Sequence, residues 1–141
     1  MNRRDKSRLF KNKELQVKQH SSRFLTLVTE SKKRIKEITP ANLKEKMDHH
    51  EPLVIIDVRE DNEWPIGYIP TAIHIGKGVI ERDIEKKIPD PETQIVVYCS
   101  GGFRCALVAE SLQNMGYKNV YSLDKGLSGW VDAGNAIDKE Y

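Results

Sequence analysis

The sequence predicts an α/β fold in three layers, with a five-stranded parallel sheet between helices. Apolar runs rich in Val and Ile alternate along the chain with segments of helical periodicity, and strands that take turns with helices form parallel sheets. The run LVIIDV, residues 53–58, is rich in β-branched side chains, as a strand buried on both faces requires. A length of 141 residues suffices for one core of ordinary size and hardly for two, so one globular domain is expected.

The first elements follow a basic N-terminal segment. Apolar side chains recur at helical spacing behind Ser21 and Ser22, either of which could cap a helix, so an amphipathic helix is expected over residues 22–34. The stretch IKEIT reads as a short strand. Thr39 and Pro40 then place a capping hydroxyl and a first-turn proline before ANLKEKM, which predicts a helix.

The alternation continues to the C-terminal end of the chain. We expect strands over 53–58, 72–75, 94–98 and 119–123, and helices over 78–88, 103–116 and from about Leu127 to Gly134. In parallel sheets of this kind, ligands gather at the carboxyl ends of the strands. Residues that directly follow a predicted strand are therefore the first candidates for a functional site.

Charge divides the chain into two parts. Residues 1–38 carry 12 basic and 4 acidic side chains, whereas residues 39–141 carry 11 basic and 17 acidic ones, so a +8 tail precedes a −6 body. We expect a basic extension over residues 1–34, mobile over 1–20, and one domain over 35–141. Such a basic segment more commonly forms a solvent-exposed helix face than a nucleic-acid-binding surface, so no nucleic-acid partner is expected.

Composition also bears on location and cofactors. No apolar run approaches the ~20 residues that cross a bilayer, and no secretory signal is recognisable, so no membrane partner and a cytoplasmic location are expected. Cys99 and Cys105 lie too close in sequence to staple a fold, which favours reduced thiols. The adjacent His49 and His50 form a weak metal pattern, so no metal and no cofactor are expected.

The stretch VVYCSGGFRCALVAESL contains the strongest candidate site. Cys99 follows the fourth predicted strand, and Gly101 and Gly102 permit a sharp turn before a helix that begins near Arg104. The free N–H groups of that helix and the Arg104 charge favour an anion, which can lower a thiol pKa from about 8.5 to roughly 3.5–7.5. A buried structural cysteine before a Gly-Gly turn is the alternative. A phosphate loop is disfavoured, because no Lys-Ser/Thr pair follows the glycines.

Two longer stretches resemble the rhodanese-like (sulfurtransferase) domains over residues 35–134. They are IIDVRE followed by EWPIGYIPTAIHI, and YCSGGFRCALVAESLQNMGYKNVYSLDKGLSGW. The resemblance implies a five-stranded parallel sheet in the order 3-2-4-5-1. Tyr68 and Thr71 stand where His and Gly are commoner in the family, and Ser100 stands where thiosulfate-using members often carry a basic residue.

The resemblance implies roles for particular residues. Cys99 would be the nucleophile that takes a sulfane sulfur from thiosulfate, a persulfide or a polysulfide, and passes it from a persulfide to a thiol, cyanide or protein acceptor. The substrate-binding loop would consist of Ser100, Gly101, Gly102, Phe103 and Arg104. Asp57 and Arg59 would form a supporting pair at the end of the second strand. Because Ser100 is neutral, we expect thiosulfate to be a poorer donor than persulfides or polysulfides.

Two other function classes stay open. One is a non-catalytic binding or regulatory module of the same fold; the other is an arsenate reductase or phosphatase, whose loop is one residue longer than the four residues between Cys99 and Arg104. We expect Cys105 to be structural, with resolution of the Cys99 persulfide as a disulfide as the alternative. The remaining conspicuous side chains are interpreted as packing, rim or exposed helix residues: Trp64, His74, Glu81, Arg82 and Trp130.

Overall fold

The structure is a computed structural model that describes residues 20–140. The expected mobility of residues 1–20 falls outside this part of the chain, apart from His20. No helix within residues 20–140 is both long and apolar enough to span a membrane.

Five parallel strands form one sheet in the order β1-β5-β4-β2-β3, as predicted. Their bounds are β1 Lys36–Ile38, β2 Val54–Asp57, β3 Ile73–His74, β4 Ile95–Tyr98 and β5 Val120–Leu123. The central strand β4 is buried at all four residues, because helices cover the sheet on both faces. The edge strands β1 and β3 are shorter than the sequence predicts.

Within the described residues 20–140, five α-helices accompany the sheet. Their bounds are α1 Ser22–Lys32, α2 Pro40–Asp48, α3 Ile80–Lys87, α4 Arg104–Asn114 and α5 Gly126–Asp132, with a short 3₁₀ turn at Trp64–Ile66. The predicted cap of α2 is confirmed, because Thr39 Oγ1 accepts a hydrogen bond from the Asn42 N–H at 3.1 Å. Ser21 occupies the cap position of α1, but its side chain makes no capping hydrogen bond.

Successive residues of the buried strands point to opposite faces of the sheet, which creates two cores. Ile56 and Val97 pack in one core with apolar residues of α3 and α4. Ile55 and Val96 pack in the other core, on the face covered by α2 and α5. The three predicted layers follow from this alternation.

Helix α1 packs on the outer side of α4. Its Val28 is buried, and the Ser31 hydroxyl lies within hydrogen-bond distance of two acceptors, the Glu110 carboxylate (2.5 Å) and the Ala106 carbonyl (3.2 Å). Arg34, just beyond the helix, pairs with the same Glu110 carboxylate at 2.6 Å. The predicted amphipathic helix is thus present and docked on the body of the protein, while the proposed domain boundary near residue 35 stays a prediction.

Candidate active site

Cys99 lies at the carboxyl end of the central strand β4, where the alternating pattern places ligand sites. The loop 99–103 leads directly into α4. The Cys99 and Ser100 carbonyls accept hydrogen bonds from the Leu127 N–H (2.8 Å) and the Ser128 N–H (3.0 Å) in the first turn of α5. The loop is therefore anchored by two helices at once.

The Cys99 sulfur is surrounded by hydrogen-bond donors. The Gly102 N–H lies 3.2 Å from Sγ, the Cys105 N–H 3.5 Å, and the Cys105 sulfur 3.5 Å. The Cys105 hydrogen bond, the two backbone N–H groups and the Arg104 charge outweigh the effect of burial and lower the pKa of Cys99 to about 5. These contacts favour the thiolate form of the side chain.

The two glycines of the loop have different roles. Gly102 has φ +94°, in the left-handed region, and a Cβ there would lie 2.9 Å from the Lys125 backbone nitrogen. A Cβ on Gly101 would lie 3.5 Å from the Phe103 ring, which is ordinary van der Waals contact. The turn that directs the Gly102 N–H towards the Cys99 sulfur therefore requires a glycine at position 102.

Arg104 reaches across the loop to Glu63, a residue that the sequence analysis did not select. Its guanidinium contacts the two Glu63 carboxylate oxygens at 2.9 and 3.2 Å, and the Ser100 hydroxyl donates to Glu63 at 3.1 Å. The Arg104 hydrogen bonds lower the pKa of Glu63 to about 2, so its charge is permanent near neutral pH. The sequence contains one signal that points to Glu63, namely an acidic side chain in the connection that follows β2. The neighbouring strands β2 and β4 end at the same edge of the sheet, so this connection lies near the loop that follows β4.

Phe103 is half-buried and faces the N-terminal helix. Its ring centroid lies 4.4 Å from that of His20 and 6.4 Å from that of Phe24, and Lys32 Nζ lies 5.5 Å from the centre of the ring. The predicted substrate-binding position therefore also contacts residues outside the predicted domain.

Asp57 and Arg59 form the expected ion pair at the end of β2, and both side chains are buried. Arg59 Nη2 lies 2.7 Å from Asp57 Oδ2 and also donates to the Gly67 carbonyl at 2.6 Å. The pair ties the strand end to the connection that carries Glu63. The supporting role of the pair at the site stays a prediction.

The other conspicuous side chains make structural contacts. Trp64 stacks on Tyr68 at 3.9 Å, His74 lies 2.8 Å from the Arg59 carbonyl, and Trp130 is buried and donates to the Ala136 carbonyl. Arg82 pairs with its neighbour Asp83 on the exposed face of α3. Within residues 20–140, no group of three or more His, Cys, Asp or Glu side chains is arranged to bind a metal ion.

Sequence comparison assigns the chain to a family. The sequence model of the Rhodanese-like domain matches residues 39–133. The chain belongs to the rhodanese-like domain family. Thr71, at a position where the family prefers glycine, has φ +73°, which gives a steric reason for that preference.

Three similar proteins illustrate the range of this family. "Putative sulfurtransferase YtwF" of Bacillus subtilis (strain 168) is 41% identical over 96 residues, which cover 68% of this chain and 90% of that protein. The tRNA uridine(34) hydroxylase of Chlamydia felis (strain Fe/C-56) is 36% identical over 104 residues, but these cover 70% of this chain and only 32% of that protein. This rhodanese-like chain therefore spans about a third of the length of the hydroxylase.

The third is a solved structure from Rhodopseudomonas palustris CGA009, described as a protein of unknown function and possible tyrosine phosphatase. It superposes with a TM-score of 0.74 at 30% identity, covering 85% of this chain and 98% of that one. Proteins with the rhodanese-like fold thus carry more than one described activity, so the activity of this chain has to be argued from the residues of its site.

Proposed function

We propose that this rhodanese-like domain is a sulfurtransferase that moves a sulfane sulfur from a donor to a thiophilic acceptor through a Cys99 persulfide. The observation that carries the proposal is the Cys99 sulfur, which receives two backbone N–H groups and a neighbouring thiol at 3.2–3.5 Å. These contacts stabilise a thiolate, the nucleophilic form of cysteine.

In the first step, the Cys99 thiolate attacks the sulfane sulfur of the donor. A new S–S bond forms, and the rest of the donor leaves with the electron pair of the broken bond, as sulfite from thiosulfate or as a thiolate from a persulfide. In the second step, the acceptor attacks the outer sulfur and Cys99 departs as a thiolate. A thiol of low pKa is a good leaving group, so the same hydrogen bonds favour both steps.

The site suits a small sulfur donor better than a phosphate ester. Cys99 is only 1% exposed, and four residues separate it from Arg104. Arg104 is already paired with Glu63, whose negative charge would repel a phosphate dianion. Phosphatase or arsenate reductase activity is therefore the weaker candidate.

The sulfurtransferase proposal is distinguished from a non-catalytic binding module by the reactivity of Cys99. We expect wild-type protein to convert thiosulfate and cyanide to thiocyanate slowly, and Cys99→Ser to retain less than about a tenth of that rate. The serine variant should match wild type in circular dichroism, because the two side chains are nearly isosteric. A larger residual rate in Cys99→Ser would contradict the assignment, and hydrolysis of p-nitrophenyl phosphate by wild type would favour the phosphatase alternative.

A further inference from the structure

We infer that Cys105 is a resolving thiol, which attacks the Cys99 persulfide, releases sulfide and leaves an intramolecular Cys99–Cys105 disulfide. The inference rests on the proposed function, because it begins from the Cys99 persulfide. In the absence of an external acceptor, the outer sulfur of the persulfide is then released as sulfide.

The two sulfur atoms are already in contact. Cys105 lies in the first turn of α4, and its sulfur is 3.5 Å from that of Cys99, whereas a disulfide requires about 2.05 Å. Each thiol is buried, with 1% of Cys99 and 0% of Cys105 exposed. A thiol held at this distance competes strongly with a free acceptor, because its attack is intramolecular and loses no translational entropy.

A second contact prepares the Cys105 sulfur for attack. The Ser122 hydroxyl, from the buried strand β5, donates a hydrogen bond to Cys105 Sγ at 3.1 Å. A donated hydrogen bond stabilises negative charge as it develops on this sulfur. In the resting site, the hydrogen bond to the Cys99 thiolate and burial hold the pKa of Cys105 well above its usual range, so Cys105 is the protonated partner.

The proposed step balances without another reactant. The Cys105 sulfur attacks the Cys99 Sγ of the persulfide anion, the Cys99–Cys105 bond forms, and the bond to the outer sulfur breaks. The outer sulfur takes the electron pair and the Cys105 proton and leaves as hydrosulfide. The outer sulfur is reduced to sulfide, and the two cysteine sulfurs end as a disulfide, which a dithiol reductant returns to the starting state.

Thiosulfate is the informative donor for the test, because its own leaving group is sulfite and any sulfide must come from resolution. Reduced protein is mixed with excess thiosulfate, without thiol or cyanide, and sulfide, intact mass and free thiols are followed. Wild type should release up to about one sulfide per chain, lose both thiols and two hydrogen masses, and recover with dithiothreitol. Cys105→Ala and Cys105→Ser should instead retain the mass of one added sulfur and release no sulfide.

The outcomes separate this inference from the proposed function. A wild-type protein that keeps the added sulfur as stably as the Cys105 variants would overturn the inference while leaving the sulfurtransferase proposal intact. Failure of the Cys105 variants to gain sulfur from either thiosulfate or a polysulfide would overturn the proposed function itself. Ser122→Ala should gain sulfur at the wild-type rate but form the disulfide about tenfold more slowly, since a hydrogen bond to a charged group is lost. An unchanged rate of disulfide formation would remove Ser122 from the mechanism.

Discussion

The negative charge of Cys99 depends on donated hydrogen bonds more than on a nearby cation. The Cys105 thiol and the backbone N–H groups of Gly102 and Cys105 all lower its pKa more than the Arg104 charge does. Arg104 is partly neutralised by Glu63, which it contacts at 2.9 Å. The loop and the first turn of α4 therefore supply most of the contacts that favour a thiolate at Cys99.

The first prediction concerns the pH dependence of the thiolate. Because the folded pKa of Cys99 is lowered to about 5, the thiolate should persist from neutral pH downward and be lost only as pH falls through about 5. Thiolate absorbance in the ultraviolet, taken as wild type minus Cys99→Ser, measures this directly. Cys105→Ala should move the midpoint upward, since it removes the largest stabilising contact. A wild-type midpoint near the ordinary thiol value of about 8.5 would contradict the hydrogen-bond account.

The second prediction concerns donor selectivity, which the neutral Ser100 side chain is expected to influence. Glu63 places a permanent negative charge 3.1 Å from the Ser100 hydroxyl and occupies Arg104, so it should disfavour a dianion at the site. Glu63→Gln should lower the KM for thiosulfate by about fivefold, corresponding to ~1 kcal/mol, with little change for a low-molecular-weight persulfide. Ser100→Arg should act in the same direction, and added salt should weaken both gains.

Glu60→Gln provides the matched control for this measurement. It removes the same charge from an exposed side chain three positions away. Steady-state kinetics with both donors should show no donor-specific change in this variant. If Glu63→Gln behaves like Glu60→Gln, the charge at the loop does not set the choice of donor.

The loop 99–103 and helix α4 act together as one structural element. The loop directs the Gly102 N–H to the sulfur, and the first turn of α4 supplies the Cys105 N–H and the Arg104 side chain. The backbone conformation at Gly102 therefore affects the hydrogen bonding of the Cys99 sulfur.

The third prediction compares the two glycines of this loop. Gly102→Ala should destabilise the protein by about 1–3 kcal/mol, because an alanine is strained at φ +94° and its Cβ meets Lys125. It should also raise the pKa of Cys99 by displacing the N–H. Gly101→Ala should remain within about 0.5 kcal/mol of wild type. Urea denaturation and thiolate absorbance test both effects, and equal losses in the two variants would show that the turn is not the cause.

The whole molecule includes the N-terminal helix as a packed part. Helix α1 buries Val28 and joins α4 through Ser31, Arg34 and Glu110. Phe24 of this helix and His20, which precedes it, also lie beside Phe103, next to the loop. The N-terminal segment thus contributes contacts to both the body and the candidate site.

The fourth prediction tests this docking. Val28 is 2% exposed and its neighbour Leu27 is 55% exposed on the same helix. Val28→Ala should lower the free energy of unfolding by about 1–2.5 kcal/mol, whereas Leu27→Ala should change it by less than about 0.5 kcal/mol. Equal effects in urea denaturation would indicate that α1 is not docked in solution.

Truncation extends the same test to the whole segment. Deleting residues 1–20 should leave the melting temperature nearly unchanged, and deleting residues 1–30 should lower it by a few degrees. Two truncations with the same melting temperature would contradict a stabilising role for α1.

Local patterns in the sequence were sufficient to predict the alternation of strands and helices, the position of Cys99 and its thiolate environment. These features depend on neighbours along the chain: apolar periodicity, the Thr39-Pro40 helix start, and a loop that leads directly into a helix. The resemblance to rhodanese-like domains supplied the strand order, which the sheet confirms. The predicted Asp57–Arg59 pair also joins residues only two positions apart.

Only the tertiary structure brought Glu63 to Arg104, placed Ser122 against the Cys105 sulfur and laid α1 beside Phe103. Glu63 precedes Ser100 by 37 residues, and Ser122 follows Cys105 by 17. Such contacts arise where separate strands end at one edge of the sheet or where a helix docks on another, so no short sequence pattern contains them. The backbone donors around the Cys99 sulfur come from residues close in sequence, so a local pattern can predict them, whereas the Glu63 charge beside the loop depends on the packing of the whole chain.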